Sequence, residues 1–129
     1  MDKFEQIKSL LYSYTDWRTI GNKKQPYYIK IKGNNQIFFY FGANHSRDIR
    51  NFQYPVLKHF WQDFLMQTEA KNAIVFVEGG KRKIAENENV AIHKDAESGL
   101  LTLLAHQAGI PVESPEPIRY NERQALVKQ

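Results

Sequence analysis

Two apolar runs in this chain end on residues that could do chemistry. The run Ile37 to Phe41 gives way to Gly42-Ala43-Asn44-His45, and the run Ala73 to Val77 gives way to Glu78-Gly79-Gly80. An imidazole and a carboxylate released at two strand ends are the groups that general acid–base catalysis uses, and both can ligate a divalent metal. Gly42 lacks a Cβ, which permits a sharp exit from the strand and close approach of a ligand. The competing reading of His45 is a turn residue that caps its own backbone. Glu78 lies either at a sheet end or in a buried place, where its pKa would rise. Its competing reading is a structural partner for Lys81 or Arg82. Gly79-Gly80-Lys81-Arg82 is not a Walker loop, because no Ser or Thr follows Lys81.

Further ionisable residues fall where the same rim would be. Glu97 sits in a first helical turn, which favours a carboxylate on dipole grounds alone. Glu116, between Pro115 and Pro117, is held in an extended, rigid loop. Arg47 and Lys81 are placed to orient or neutralise an anionic group. The working assignment is therefore His45 and Glu78 as catalytic residues and metal ligands, with Arg47, Lys81, Glu97 and Glu116 as substrate-binding residues. Of the other histidines, His59 and His106 fall on polar helix faces and read as surface residues. His93 lies in a connection from which it could reach the rim.

These residues need elements to position them. Phe4, Ile7, Leu10, Leu11 and Tyr14 recur at helical spacing, so a short N-terminal helix is expected, followed by a polar loop over Thr19 to Pro26. Tyr27 to Lys32 and Gln36 to Phe41 flank Gly33-Asn34-Asn35 and predict a β-hairpin. Its first strand alternates apolar residues with lysine, as an edge should, while the second is apolar on both faces and is expected inside a sheet. Val56, Leu57, Phe60, Trp61, Phe64 and Leu65 predict a helix with Pro55 near its start. A strand over Ala73 to Val77, a helix from about Asp95 to Gly109 and a short strand over Ile110 to Ser114 complete the pattern. Helices of this length between strands imply parallel pairing through right-handed crossovers. The expected core is Ile37, Phe39, Val56, Leu57, Phe60, Trp61, Phe64, Val75, Val77, Leu100, Leu103 and Leu104. The fold class is α/β: a mostly parallel sheet with crossover helices and an N-terminal antiparallel edge hairpin. Residues 1–26 are expected to form the N-terminal helix and loop and residues 27–129 the α/β domain. Asn121 to Gln129 reads as a helix stopped after two turns, so the domain is expected to be an incomplete half of a larger fold, completed by a second half or a homo-oligomer.

Composition narrows the chemistry. With 129 residues and no cysteine, the chain excludes disulfides, thiolate nucleophiles, iron–sulfur clusters and cysteine-ligated zinc. A net charge of +4 is mild and dispersed, which suits an anionic small molecule better than nucleic acid. The apolar runs are too short to span a bilayer and the start is charged, so a cytoplasmic protein without a membrane partner is expected.

The order Gly42-Ala43-Asn44-His45, Val77-Glu78-Gly79-Gly80, Glu97-Ser98-Gly99 and Ser114-Pro115-Glu116-Pro117 resembles the superfamily of erythromycin esterases, ChaN-type haem-associated lipoproteins, and TraB and TIKI proteins. It is most similar to bacterial members with the same Gly-Ala-Asn-His and Val-Glu-Gly-Gly elements. The likeness covers Ile37 to Pro117. It implies hydrolysis, metal-dependent in some members, with the histidine and glutamates in the site. Members carry a second G-x-x-H in a later half, which this sequence lacks, and the lipoproteins carry an export cysteine, also absent here. Three functions stay open at this point. The first is a hydrolase-like domain with a divalent metal such as Mn, Co, Fe or Zn. The second is a non-catalytic module for haem, a metal ion or an anion. The third is a basic nucleic-acid or protein-interaction domain working through Lys23, Lys24, Lys30 and Lys32.

Overall fold

The computed structural model describes residues 25–116. The two terminal helices expected from the sequence, and Lys23 and Lys24, lie outside that range. Strands β1 (Tyr27–Lys32) and β2 (Ile37–Gly42) form the antiparallel hairpin, closed by a turn in which the Gly33 N–H donates to the Gln36 carbonyl at 2.8 Å. Helix α1 (Gln53–Gln67) follows, then a 3-10 turn (Ala70–Asn72) and strand β3 (Val75–Phe76). Helix α2 (Glu88–Gln107) leads to strand β4 (Val112–Glu113), which pairs in parallel with β3. The chain thus mixes helix and strand, with one antiparallel hairpin and one small parallel pair joined through α2. The two pairs are separate sheets, and among the described residues β2 is not hydrogen-bonded to β3.

Helix α1 joins the layers. Tyr54, Leu57 and Trp61 recur at helical spacing and are buried in the core with Leu100, Leu104, Ala105 and Ile110. Phe60 and Phe64 turn toward the hairpin, where Phe39 meets both rings edge-on, with centroids 5.6 and 5.3 Å apart. Of the expected core, Leu57, Trp61, Val75, Val77, Leu100, Leu103 and Leu104 are buried, while Ile37, Phe39, Val56, Phe60 and Phe64 are half-buried. The second hairpin strand departs from expectation. Phe38 and Tyr40 are exposed, because β2 packs on α1 through one face only and its outer face, with Ile29 and Ile31, is uncovered.

Helix α2 also differs from the sequence reading. It starts at Glu88, where Asn87 caps it by accepting from the Val90 N–H at 2.9 Å, rather than near Asp95. At Asp95–Ala96 the helical backbone breaks, with Ala96 at φ 52° and ψ −138°, a region that an L-residue enters only at a cost of about 1–3 kcal/mol. The two helical segments then approach closely across Gly99. A Cβ there would collide with the Ala91 carbonyl oxygen and stand 2.9 Å from the Asp95 Cβ. Gly99→Ala is therefore expected to destabilise the domain by about 1–3 kcal/mol. A thermal melt checks this, with Gly109→Ala as the control that meets no neighbour within 4 Å but must hold φ +71°.

Candidate functional site

The loop after β2 is held in place from α1. Gln53 is fully buried, and its side-chain amide grips the backbone of Asn44 twice. Its Oε1 accepts from the Asn44 N–H at 2.9 Å, and its Nε2 donates to the Asn44 carbonyl at 2.7 Å. One residue beyond His45, the Ser46 carbonyl accepts from the Tyr54 hydroxyl. Asn51 in turn fixes the start of α1, its Oδ1 accepting from the Gln53 N–H at 3.0 Å. Clamped on both sides, the segment projects the His45 imidazole outward with little freedom in its backbone.

Two carboxylates meet that imidazole on opposite edges. Nδ1 lies 2.5 Å from Glu97 Oε1, and Nε2 lies 3.8 Å from Glu78 Oε2. A carboxylate only accepts, so Nδ1 carries the proton toward Glu97 and Nε2 is the free basic nitrogen when the ring is neutral. The Nε2–Glu78 separation exceeds hydrogen-bond distance. With the His45 and Glu78 side chains 71% and 74% exposed, that pair is solvent-screened and adds little to stability. Glu97 is the reverse case. It is buried, begins the helical segment that restarts after Ala96, and leaves Oε2 buried with no protein partner. The helix dipole favours a negative charge at that position.

The loop after β3 is shaped by its glycines and by Arg82. Gly79 and Gly80 hold φ of +90° and +82°, which side chains disfavour. Arg82, largely buried, donates to the Glu78 carbonyl at 2.7 Å and faces Asp95 Oδ2 at 3.7 Å from Nε. It thereby ties the backbone of Glu78 to the break in α2 that presents Glu97. The Gly80 N–H donates to Ser114 Oγ at 3.0 Å, anchoring the loop to the end of β4.

The structure brings together His45, Glu78 and Glu97, and does not bring Arg47, Lys81 or Glu116 to them. Arg47 is exposed and does not line the cavity that His45, Glu78 and Glu97 share. Lys81 instead lines a separate cavity of about 300 Å³ with Arg82, Thr102, His106 and Ser114. Glu116 is half-buried beyond Ser114, whose Oγ accepts from its N–H at 3.3 Å. His93 lies on the exposed surface of α2 rather than in a connection. His59 and His106 are exposed, as their helix faces predict. Gln53 and Tyr54 were not found from sequence, and Arg82, named there as a structural partner of Glu78, bonds the Glu78 carbonyl rather than its carboxylate. Among the described residues, no group of three or more His, Asp and Glu side chains is placed to hold a metal ion. The geometry gives the reason: Glu78 and Glu97 face different nitrogens of one ring and do not converge on a point. Among the same residues no helix is long and apolar enough to cross a membrane.

The imidazole stands at the mouth of a cleft of about 490 Å³ between β2 and the β3 segment. Its walls are aromatic and aliphatic, with Phe41, Phe60, Trp61, Val75 and Phe76 among them. The negative charge at the mouth is felt by nearby phenols. Burial, aided by the Glu97 charge, pushes the Tyr54 hydroxyl from 10.0 up to about 12. Tyr40 is also raised, chiefly by its hydrogen bond with Tyr27 and least by Glu78. In comparisons with protein families, curated proteins and solved structures, the chain matches none.

Two outcomes follow from the clamps. Gln53→Ala is expected to cost about 1–3 kcal/mol and to speed amide exchange at Asn44, because both backbone groups of Asn44 lose their partner. Hydrogen exchange read by NMR checks it. The raised Tyr54 pKa means that the folded chain keeps a proton the unfolded chain releases near pH 10. Its stabilisation is complete below that pH and disappears as pH climbs toward about 12. Denaturant titrations between these values should show a decline that Tyr54→Phe reduces.

Proposed function

We propose that this chain is a hydrolase-like α/β domain in which His45 acts as general base on a water molecule or a substrate proton. The observation that carries the reading is the Glu97–His45–Glu78 arrangement, with N···O distances of 2.5 and 3.8 Å on the two ring edges. Glu97 fixes the tautomer and orientation of the ring through Nδ1 and stabilises the imidazolium that forms when Nε2 takes a proton. Glu78, exposed and beside Nε2, orients the attacking water and faces the developing cation. The aromatic cleft at the same mouth supports binding of an organic substrate there rather than action on a solvent-exposed bond.

The proposal includes kinship with the erythromycin esterase, ChaN, TraB and TIKI superfamily. It rests on the order of the Gly-Ala-Asn-His, Val-Glu-Gly-Gly and Glu-Ser-Gly elements, which meet around one ring. It also includes the finer architecture: the hairpin and the β3–β4 pair as parts of one larger, mostly parallel sheet, completed by further chain, in a cytoplasmic setting. The succession β2, α1, β3, with both strand ends delivering residues to one mouth, is the support for that architecture. A divalent ion would find Nε2 of His45 and Glu78 as its two ligands and would need others from outside the described residues.

The test is turnover of chromogenic ester, amide and phosphoester panels by the full chain. His45→Ala is expected to lower kcat/KM about 10²- to 10⁴-fold. The same change leaves the buried Glu97 carboxylate without its partner, so it is expected to cost about 1–3 kcal/mol of stability as well, and turnover is compared at a temperature where both chains are folded. Undiminished turnover, or a large loss of stability with unchanged chemistry, would overturn the reading.

A further inference from the structure

The cleft wall contains no Lys or Arg among the described residues, in a chain whose net charge is +4. Several cations of the domain are engaged elsewhere. Arg50 bonds Asp48, Lys58 bonds Glu88, Lys30 faces Asp63, and Arg82 is turned into the protein toward the Glu78 carbonyl and Asp95. Glu78 and Glu97 both line the cleft, with His45 between them. With His45 neutral the mouth carries two negative charges, and with His45 protonated it still carries one. Glu97 is buried, with only one oxygen partnered. A buried carboxylate with half its hydrogen-bonding capacity unused favours a positive charge close by.

Behind this mouth the walls are apolar and ring-rich, and Tyr27 and Tyr40, with centroids 6.0 Å apart, stand beside the entrance. Aromatic faces attract cations as well as apolar bodies. We propose that the cleft binds a small amphipathic cation, a flat apolar body carrying a protonated amine that sits against Glu78. The body occupies the cleft that Phe41 and Phe76 help to line, and the ammonium group meets the carboxylates beside His45. The inference rests on the hydrolytic reading for the use of the site and names its substrate class. It replaces the anionic substrate expected from Arg47 and Lys81, neither of which is part of this cleft.

Three probes with one aromatic body separate the alternatives: 1-naphthylmethylamine, 1-naphthylmethanol and 1-naphthoate, titrated into the full chain by calorimetry and by amide-shift mapping. The amine is expected to bind about tenfold or more tightly than the carboxylate. Its shifts should centre on Phe41, Gly42, Ala43 and Val77, with the preference weakened by salt. Glu78→Gln, a change at an exposed residue that leaves the fold intact, is expected to remove most of the amine's advantage while the alcohol binds as before. Equal or tighter binding of naphthoate, no binding of any probe, or shifts confined to the cavity around Lys81 and Ser114 would overturn the proposal. Binding needs no turnover, so the two readings fail separately. Amine selectivity without hydrolysis removes only the catalytic reading. Hydrolysis by a site that prefers naphthoate removes only this one.

Discussion

The 2.5 Å contact between His45 Nδ1 and Glu97 Oε1 joins residues 52 positions apart and is the point on which the site's geometry depends. It requires Glu97 to be inside the protein while its partner ring stays at the surface. Burying a carboxylate with one partner is costly, so the chain must supply a reason for Glu97 to remain there. The break at Ala96 supplies it. By restarting the helix at Glu97, the backbone sets that side chain at a helical N-terminus, where the aligned peptide dipoles favour its charge. The left-handed Ala96 conformation is the strain that such a placement entails.

The rest of the fold is arranged so that this strained segment cannot relax. Gly99 lets the restarted helix lie against the Ala91 carbonyl. Thr102 and Ser98 are buried beside it, with the Thr102 hydroxyl donating to the Ser98 carbonyl at 2.7 Å. Arg82 reaches from the loop after β3 to Asp95, the residue before Ala96, and at the same time holds the Glu78 carbonyl. One guanidinium thereby sets the spacing between the two carboxylates that flank the imidazole. On the other side, Gln53 and Tyr54 do the equivalent for His45. Three separate segments converge, and each is pinned by a buried polar side chain whose partners are backbone groups or a neighbouring carboxylate.

What could be read from sequence, and what could not, divides along physical lines. His45 and Glu78 were legible because each follows a run of apolar residues, so a strand end had to release it. The hairpin was legible from its alternation and its Gly-Asn turn. The aromatic face of α1 was legible from its helical spacing. Gln53 was not, because its role depends on a backbone group 9 residues away and a lone Gln carries no periodic signal, while Arg82 was legible as a partner of Glu78 but not as a ligand of its carbonyl. The start of α2 was misplaced for a related reason. Asn87 is a good cap, but the segment it opens, Glu88 to Lys94, has few large apolar residues and shows no helical stripe. The exposure of Phe38 and Tyr40 could not be foreseen either, since an apolar strand says that both faces can be buried, not that both are.

The charge distribution of the cleft differs from that of the chain as a whole. The chain is basic as a whole, which taken alone favours an anionic substrate steered by Arg47 and Lys81. Long-range steering depends on the summed field, but the last few ångströms depend on the groups that face the ligand, where separations are short and solvent is partly excluded. At this mouth those groups are two carboxylates and one imidazole, while Arg50, Lys30, Lys58 and Arg82 face Asp48, Asp63, Glu88 and Asp95. A ring whose Nδ1 is committed to Glu97 can alternate between neutral and positive without reversing the sign of the site. That property suits a base acting beside a cationic group, because protonating His45 reduces the attraction for that group and loosens its hold once the proton has moved.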